Sequence, residues 1–180
     1  MLTKVINLKG KTEVEAFEVL YVIFCRDFVE QKTYLNNSLY VDPSRDGMRN
    51  GKEGVFWHVT TREKRKRVKR GNVYRDDVSR VLDPDRAVRI GWIRPMLENI
   101  AHDDIHLFYR KETKGKKPVR LYLWAYRHDF VVIVQKLGQS SSFLVTSFYI
   151  TERYKKESYD KWLRDYLDKK DKNLNGCEWF

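Results

Sequence analysis

A histidine at the threshold of a cationic run is the feature of this sequence best suited to chemistry. His58 follows Phe56-Trp57, precedes Val59-Thr60, and leads into Arg62, Lys64, Arg65, Lys66, Arg67, Lys69 and Arg70, opposed only by Glu63. Imidazole has the one unperturbed pKa suited to proton transfer at neutral pH. Arginine adds a permanent charge and a two-pronged donor that fits phosphate oxygens. Proton transfer beside a bound phosphate is the chemistry this juxtaposition serves. The bland alternative is a half-buried histidine satisfied by a backbone carbonyl.

The other chemistry-bearing residues are less pointed. His102 and His106 stand at i and i+4 around Asp103 and Asp104, a spacing that suits a metal ion on a helix. They fall between a short helix and a strand, and no third ligand is evident. His128, beside Asp129 at the tip of a turn, reads as solvated. Thr146, Ser147 and Tyr149 are the polar residues of the stretch Val145 to Ile150. Strand alternation sends Thr146 to one face and Ser147 and Tyr149 to the other, so Thr146 and Tyr149 share a site only if a bulge intervenes or the site wraps the strand end. The chain has no P-loop, G-x-G-x-x-G, H-E-x-x-H or G-x-S-x-G motif, so no cofactor and no metal are expected.

These residues must be positioned by a chain of 180 residues with 42% hydrophobic content, long enough for one domain with a sizeable core. The net charge is +11. Residues 1–61 and 151–180 are close to neutral, so the surplus is concentrated in residues 62–150. A field this concentrated favours a polyanionic partner, of which nucleic acid is the commonest; the alternative is a solvated basic face. Cys25 and Cys177 are far apart and match no metal spacing, which points to a reduced, cytoplasmic protein. The apolar run Val19 to Cys25 is too short to span a bilayer, and the glutamates before it do not suit a signal peptide, so no membrane association is expected.

Thr12 and Glu15 form a capping box ahead of Val14, Phe17, Tyr21, Phe24 and Phe28, predicting a helix from about 13 to 34 that Asn36, Asn37 and Ser38 end. Residues 42–54 read as a loop and 55–59 as a short apolar segment. The basic run is ambiguous, because a helix there would have Val68 as its one aliphatic residue before Gly71 closes it. Asp83-Pro84 reads as the cap and first residue of another helix, breaking near Gly91 or before Pro95. Leu121–Tyr126, Phe130–Lys136 and Ser142–Ile150 are β-rich and joined by short turns, hence an antiparallel meander. A fourth strand at about Leu107 to Arg110 would join it through a turn at Lys114-Gly115-Lys116. Tyr159, Trp162, Leu163, Tyr166 and Leu167 fall on one helical face, placing a helix near 157–169. The fold class is therefore α+β: N-terminal helices, a curved antiparallel β-sheet and a C-terminal amphipathic helix in a single domain over 1–180.

Several segments together resemble a known family. His58-Val59-Thr60-Thr61-Arg62, then Arg89-Ile90-Gly91-Trp92-Ile93-Arg94-Pro95-Met96-Leu97-Glu98-Asn99, Arg120–Trp124, Phe130–Val134 and Leu144–Ile150 are similar in order and spacing to the phage-associated nuclease domains of the barnase–EndoU–colicin–RelE-like (BECR) class. The likeness covers roughly residues 55–165 within a nuclease core at 55–170, and leaves residues 1–54 as an N-terminal helical part. It implies a metal-independent endoribonuclease, toxin-like or phage- or prophage-associated, in which the ribose 2′-OH attacks its own phosphate. By matched position His58 is the acid or base and Thr146 a strand hydroxyl near the phosphate. Arg62 and Arg94 are candidates to stabilise the phosphate, and Tyr149 to orient the 2′-OH or a base. Arg65, Lys66, Arg67, Lys69 and Arg70 would hold the RNA backbone. A neutralising antitoxin or immunity partner is implied, and the N-terminal part could contact it. Two further classes stay open: a nucleic-acid-binding module without hydrolysis, and a phage structural or interaction protein.

Overall fold

The computed structural model describes residues 2–71, 73–113 and 118–179. The expected Lys114-Gly115-Lys116 turn and the side chain of Arg70 lie outside the described residues.

Helix α1 (Glu13–Phe24) begins at the Thr12–Glu15 capping box, in which the Glu15 N–H donates to the Thr12 hydroxyl and the Thr12 N–H to the Glu15 carboxylate. It buries Ala16, Leu20 and Phe24, while Val14 points to solvent. The helix is shorter than its apolar spacing predicted. After Phe24 the chain widens into a π-helical turn, Cys25–Val29, and the buried Thr33 hydroxyl donates to the Asp27 carbonyl, turning the chain away. Asn36 and Asn37 do not cap a helix. Both take positive φ, 50° and 53°, and close a hairpin between β1 (Tyr34–Leu35) and β2 (Leu39–Asp42). Asparagine tolerates the left-handed region that such tight hairpin turns require.

A second small hairpin, β3 (Met48–Arg49) and β4 (Lys52–Glu53), turns at Asn50-Gly51 and leads into α2 (Gly54–Thr60). The expected loop and apolar segment are thus a hairpin and a helix. The basic run is neither a helix nor disordered: β5 (Thr61–Arg70) pairs along its whole length with β6 (Val73–Leu82). The partner strand supplies the β-forming Val73, Tyr74, Val78 and Val81 that the basic strand lacks, and Gly71 turns between them at φ +62°. Thr60 ends α2 with its hydroxyl on the Phe56 carbonyl, so no helix continues into the basic run. Asp83 caps α3 (Pro84–Ala87) as expected. A 3₁₀ turn at Ile90–Trp92 leads into α4 (Ile93–Glu98), whose first turn accommodates Pro95 because no intrahelical donor is needed there.

Strands β7 (Ile105–Lys111), β8 (Val119–Ala125), β9 (Phe130–Leu137) and β10 (Ser141–Tyr149) form the expected antiparallel meander, and α5 (Arg153–Leu167) follows. The sheet is mixed, however. Its order is β1-β2-β10-β9-β8-β7, and β2 pairs β10 in parallel through Tyr40–Ser141 to Asp42–Phe143. Residues 34–42 therefore belong to the sheet rather than to a helical appendage. One face of the sheet packs Leu121, Leu123, Val132, Val134 and Leu144 against α1, α2 and α4. The other packs Phe108, Tyr122, Trp124, Val131 and Ile133 against Tyr159 of α5. Among the described residues no helix is long and apolar enough to cross a membrane.

Candidate active site

Helix α2 carries His58 because its other face is an anchor. Val55, Phe56 and Val59 are buried, and the Phe56 ring meets Tyr21, Phe24 and Phe17 edge-on at centroid distances of 5.2, 5.6 and 6.3 Å. His58 then lies on the outer face with its side chain 33% exposed, and its Nε2 stands 3.5 Å from Oδ2 of Asp46. Asp46 reaches this position through the close approach of its loop to the start of α2. The Gly54 N–H donates to the Gly47 carbonyl at 2.7 Å, and a Cβ on Gly54 would lie 2.7 Å from both the Cβ and the carbonyl oxygen of Asp46. A methyl group cannot fit there without moving the loop. Gly54→Ala is accordingly expected to displace Asp46 from His58 and to destabilise the domain by about 1–3 kcal/mol. Chemical denaturation reads the stability, and the imidazole proton and carbon resonances read the departure of the carboxylate.

The C-terminal end of α2 is fixed by cations and hydroxyls, which suits the negative end of a helix. Arg86 donates to the carbonyls of His58 (2.6 Å) and Thr61 (2.9 Å), and Thr146 donates its hydroxyl to the His58 carbonyl at 3.0 Å. Arg80 donates through Nε to the Thr61 hydroxyl at 2.8 Å. Burial is the main influence holding the His58 imidazole below its ordinary pKa. The charges of Arg80, Arg49 and Arg86 act in the same direction, and Asp46 opposes them. The shift favours the neutral imidazole, the form with a free electron pair to accept a proton.

The five residues expected to act together divide. His58 keeps the company of Asp46, Arg49, Arg80 and Arg86. Thr146 touches the His58 backbone through a bulge between Leu144 and Thr146, so its hydroxyl is spent on positioning α2. Arg62 and Tyr149 line a different hollow, a cleft of about 510 Å³ shared with Arg86, Lys155 and Trp162 between α3 and α5. The Arg89 guanidinium lies 4.0 Å over the Tyr149 ring. Arg94 is engaged by Glu98 at 2.8 Å and by Gln31, so its charge is directed into structural contacts. Arg65, Lys66, Arg67 and Lys69 lie along β5, where Arg65, Lys66 and Arg67 are exposed.

The histidine pair expected on a helix is not on one. His102 sits in a turn where its Nδ1 accepts from the Asp104 N–H at 3.2 Å, and His106 lies in β7 stacked on Tyr126 at 4.3 Å. Among the described residues no cluster of three or more His, Cys, Asp or Glu is arranged to hold a metal ion. His128 packs its ring against Trp92 at 5.7 Å. The sequence alone did not single out Asp46, Arg49, Arg80 and Arg86. The Asn50-Gly51 dipeptide was the available signal, since it is a strong hairpin marker and a hairpin there returns the chain past His58. No family model, no curated protein and no solved structure matches this chain.

Proposed function

We propose that the chain is a metal-independent endoribonuclease of the BECR kind, with His58 as its proton-transfer residue. One observation carries the reading: an imidazole held beside the Asp46 carboxylate, with Arg49 and Arg80 nearby, at the foot of an exposed cationic ribbon.

In this reading RNA lies along β5 and brings one phosphodiester to His58. The imidazole accepts the proton of the ribose 2′-OH, and the 2′-oxygen bonds to the adjacent phosphorus. The bond from phosphorus to the 5′-oxygen breaks, leaving a 2′,3′-cyclic phosphate, and the leaving oxygen takes a proton from solvent water to become a 5′-OH, while the imidazolium returns its proton to solvent. Asp46 steadies the imidazolium formed, and Arg49 offsets the charge gathering on the phosphate oxygens. Arginine suits the task because it stays protonated across the working range.

The test is cleavage of a 5′-labelled RNA in EDTA, with the product ends identified. Cyclic-phosphate and 5′-OH ends are expected, and a single 2′-deoxy substitution at the cleaved position should abolish the cut by removing the nucleophile. Cleavage of that deoxy position would overturn the mechanism. Tight binding with no cleavage of any RNA would instead favour a binding module, a second reading that the exposed ribbon supports without His58.

A further inference from the structure

The β5–β6 ribbon does something that a flat basic patch does not: it presents cations on two opposite faces. Cross-strand register assigns the sides. Lys64, Lys66 and Val68 of β5 share one face with Ser79, Asp77 and Arg75 of β6. Arg65, Arg67 and Lys69 share the other with Val78, Asp76 and Tyr74. From Arg62 to Arg67, and again from Val73 to Ser79, every residue is exposed. Among the described side chains, neither Asp76 nor Asp77 closes an ion pair with these cations. The Arg67 guanidinium lies over the Tyr74 ring at 5.0 Å, and that ring is itself 57% exposed.

The root is firm. The Asp83 N–H donates to the Thr60 carbonyl at 3.0 Å, and the Leu82 N–H to Glu13. From there, strands of 10 residues carry the tip about 30 Å away at ~3.3 Å per residue. That reach is on the scale of one turn of a base-paired duplex, roughly 34 Å in B-form DNA. A single extended strand or one flat surface would satisfy one face and leave the opposite cations unmatched. Two rows of phosphates, as on the two walls of a groove or between packed stems, satisfy both.

We infer that the ribbon is a two-faced arm gripped between two phosphate rows of a folded, base-paired RNA. This rests on the reading of the chain as a protein that acts on RNA, and the arm's binding is separable from cleavage. The substrate class is then structured RNA whose paired region extends from the scissile position along the arm.

The experiment measures affinity against salt for the full chain carrying His58→Ala, so that the probe stays intact. The probes are an RNA hairpin with a stem of about ten base pairs or more, an unpaired RNA of the same length, and a DNA hairpin matched to the first. One variant replaces Lys64, Lys66 and Arg75 by Gln, and another replaces Arg65, Arg67 and Lys69 by Gln. A third changes Arg65 and Arg67 to Lys and keeps the charge. The RNA hairpin should bind at least tenfold more tightly than the unpaired strand. Each Gln variant should flatten the log–log salt slope by about two, at ~0.7–0.9 for each phosphate no longer neutralised, and the Lys variant should keep the slope. The arm is overturned if one face alone matters, if the unpaired RNA binds as well as the hairpin, or if the DNA hairpin binds as well as the RNA. Cleavage of a short unpaired RNA by the chain with His58 intact, unaffected by either Gln set, would sink the arm while the nuclease reading stands. Intact two-faced binding with no cleavage would do the reverse.

Discussion

Replacing His58 by alanine is expected to slow RNA cleavage in EDTA by about 10²–10⁴-fold, the usual worth of general acid–base catalysis, while RNA affinity is retained. The separation follows from geometry. The imidazole faces Asp46, whereas the cations proposed to hold RNA lie along β5 beyond Arg62. Asp46→Asn should cost less than His58→Ala, because it removes a neighbour of the base and not the base itself. The pH profile carries its own sign. Burial lowers the folded pKa of His58 below the ordinary 6.5, so activity should fall only as pH drops below that ordinary value. The same shift makes the fold lose stability as pH falls from about 6.5, because the unfolded chain takes up the proton first. A profile whose acidic limb lies above pH 7 would contradict the environment found for His58. Single-turnover rates across pH 5 to about 8 provide the measurement.

Phe56→Ala is expected to destabilise the domain by about 3–5 kcal/mol, a large part of the stability of an ordinary domain. The ring is fully buried and packed edge-on by Phe17, Tyr21 and Phe24, so its removal leaves a cavity where α1 and α2 meet. Phe56→Leu, which keeps most of the volume, should cost far less. Denaturant midpoints of the two variants, compared at an unchanged m-value, decide the matter. Because Phe56 anchors the helix that carries His58, any folded Phe56→Ala protein should also lose rate. A midpoint shift no larger than that of a surface substitution would mean that α2 does not dock as described.

The elements legible in the sequence were those whose signal is local. Short turns between β-rich runs gave the β8–β10 meander, and the repeat from Tyr159 to Leu167 gave α5, because adjacency and period are properties of neighbouring residues. The β5–β6 ribbon escaped because lysine and arginine carry no apolar period, and the strand signal lay in its partner, Val73 to Leu82. Pairing of β2 with β10 is parallel and remote, so no local pattern encodes it. The site follows the same division. His58 and the cationic run could be read directly. The neighbour that gives His58 its setting, Asp46, is brought in by a glycine whose importance lies in what its missing side chain leaves room for. Charge singles out Arg62 and Arg94, and the family resemblance singles out Thr146; the structure places them in a separate cleft, on Glu98 and on the His58 backbone.

The parallel pairing of Tyr40 with Ser141 also governs the order in which the molecule can be made. The sheet partner of β2 lies roughly a hundred residues downstream, a closure that raises contact order and slows folding. During synthesis the segment bearing Asp46, Gly54 and His58 would emerge long before β10, the strand against which α2 is held by Thr146. A nascent or truncated chain ending ahead of residue 141 contains every group of the His58 cluster and lacks the strand that seats it. The geometry of the site is therefore a late product of biosynthesis, completed only once residues 141–149 have left the ribosome.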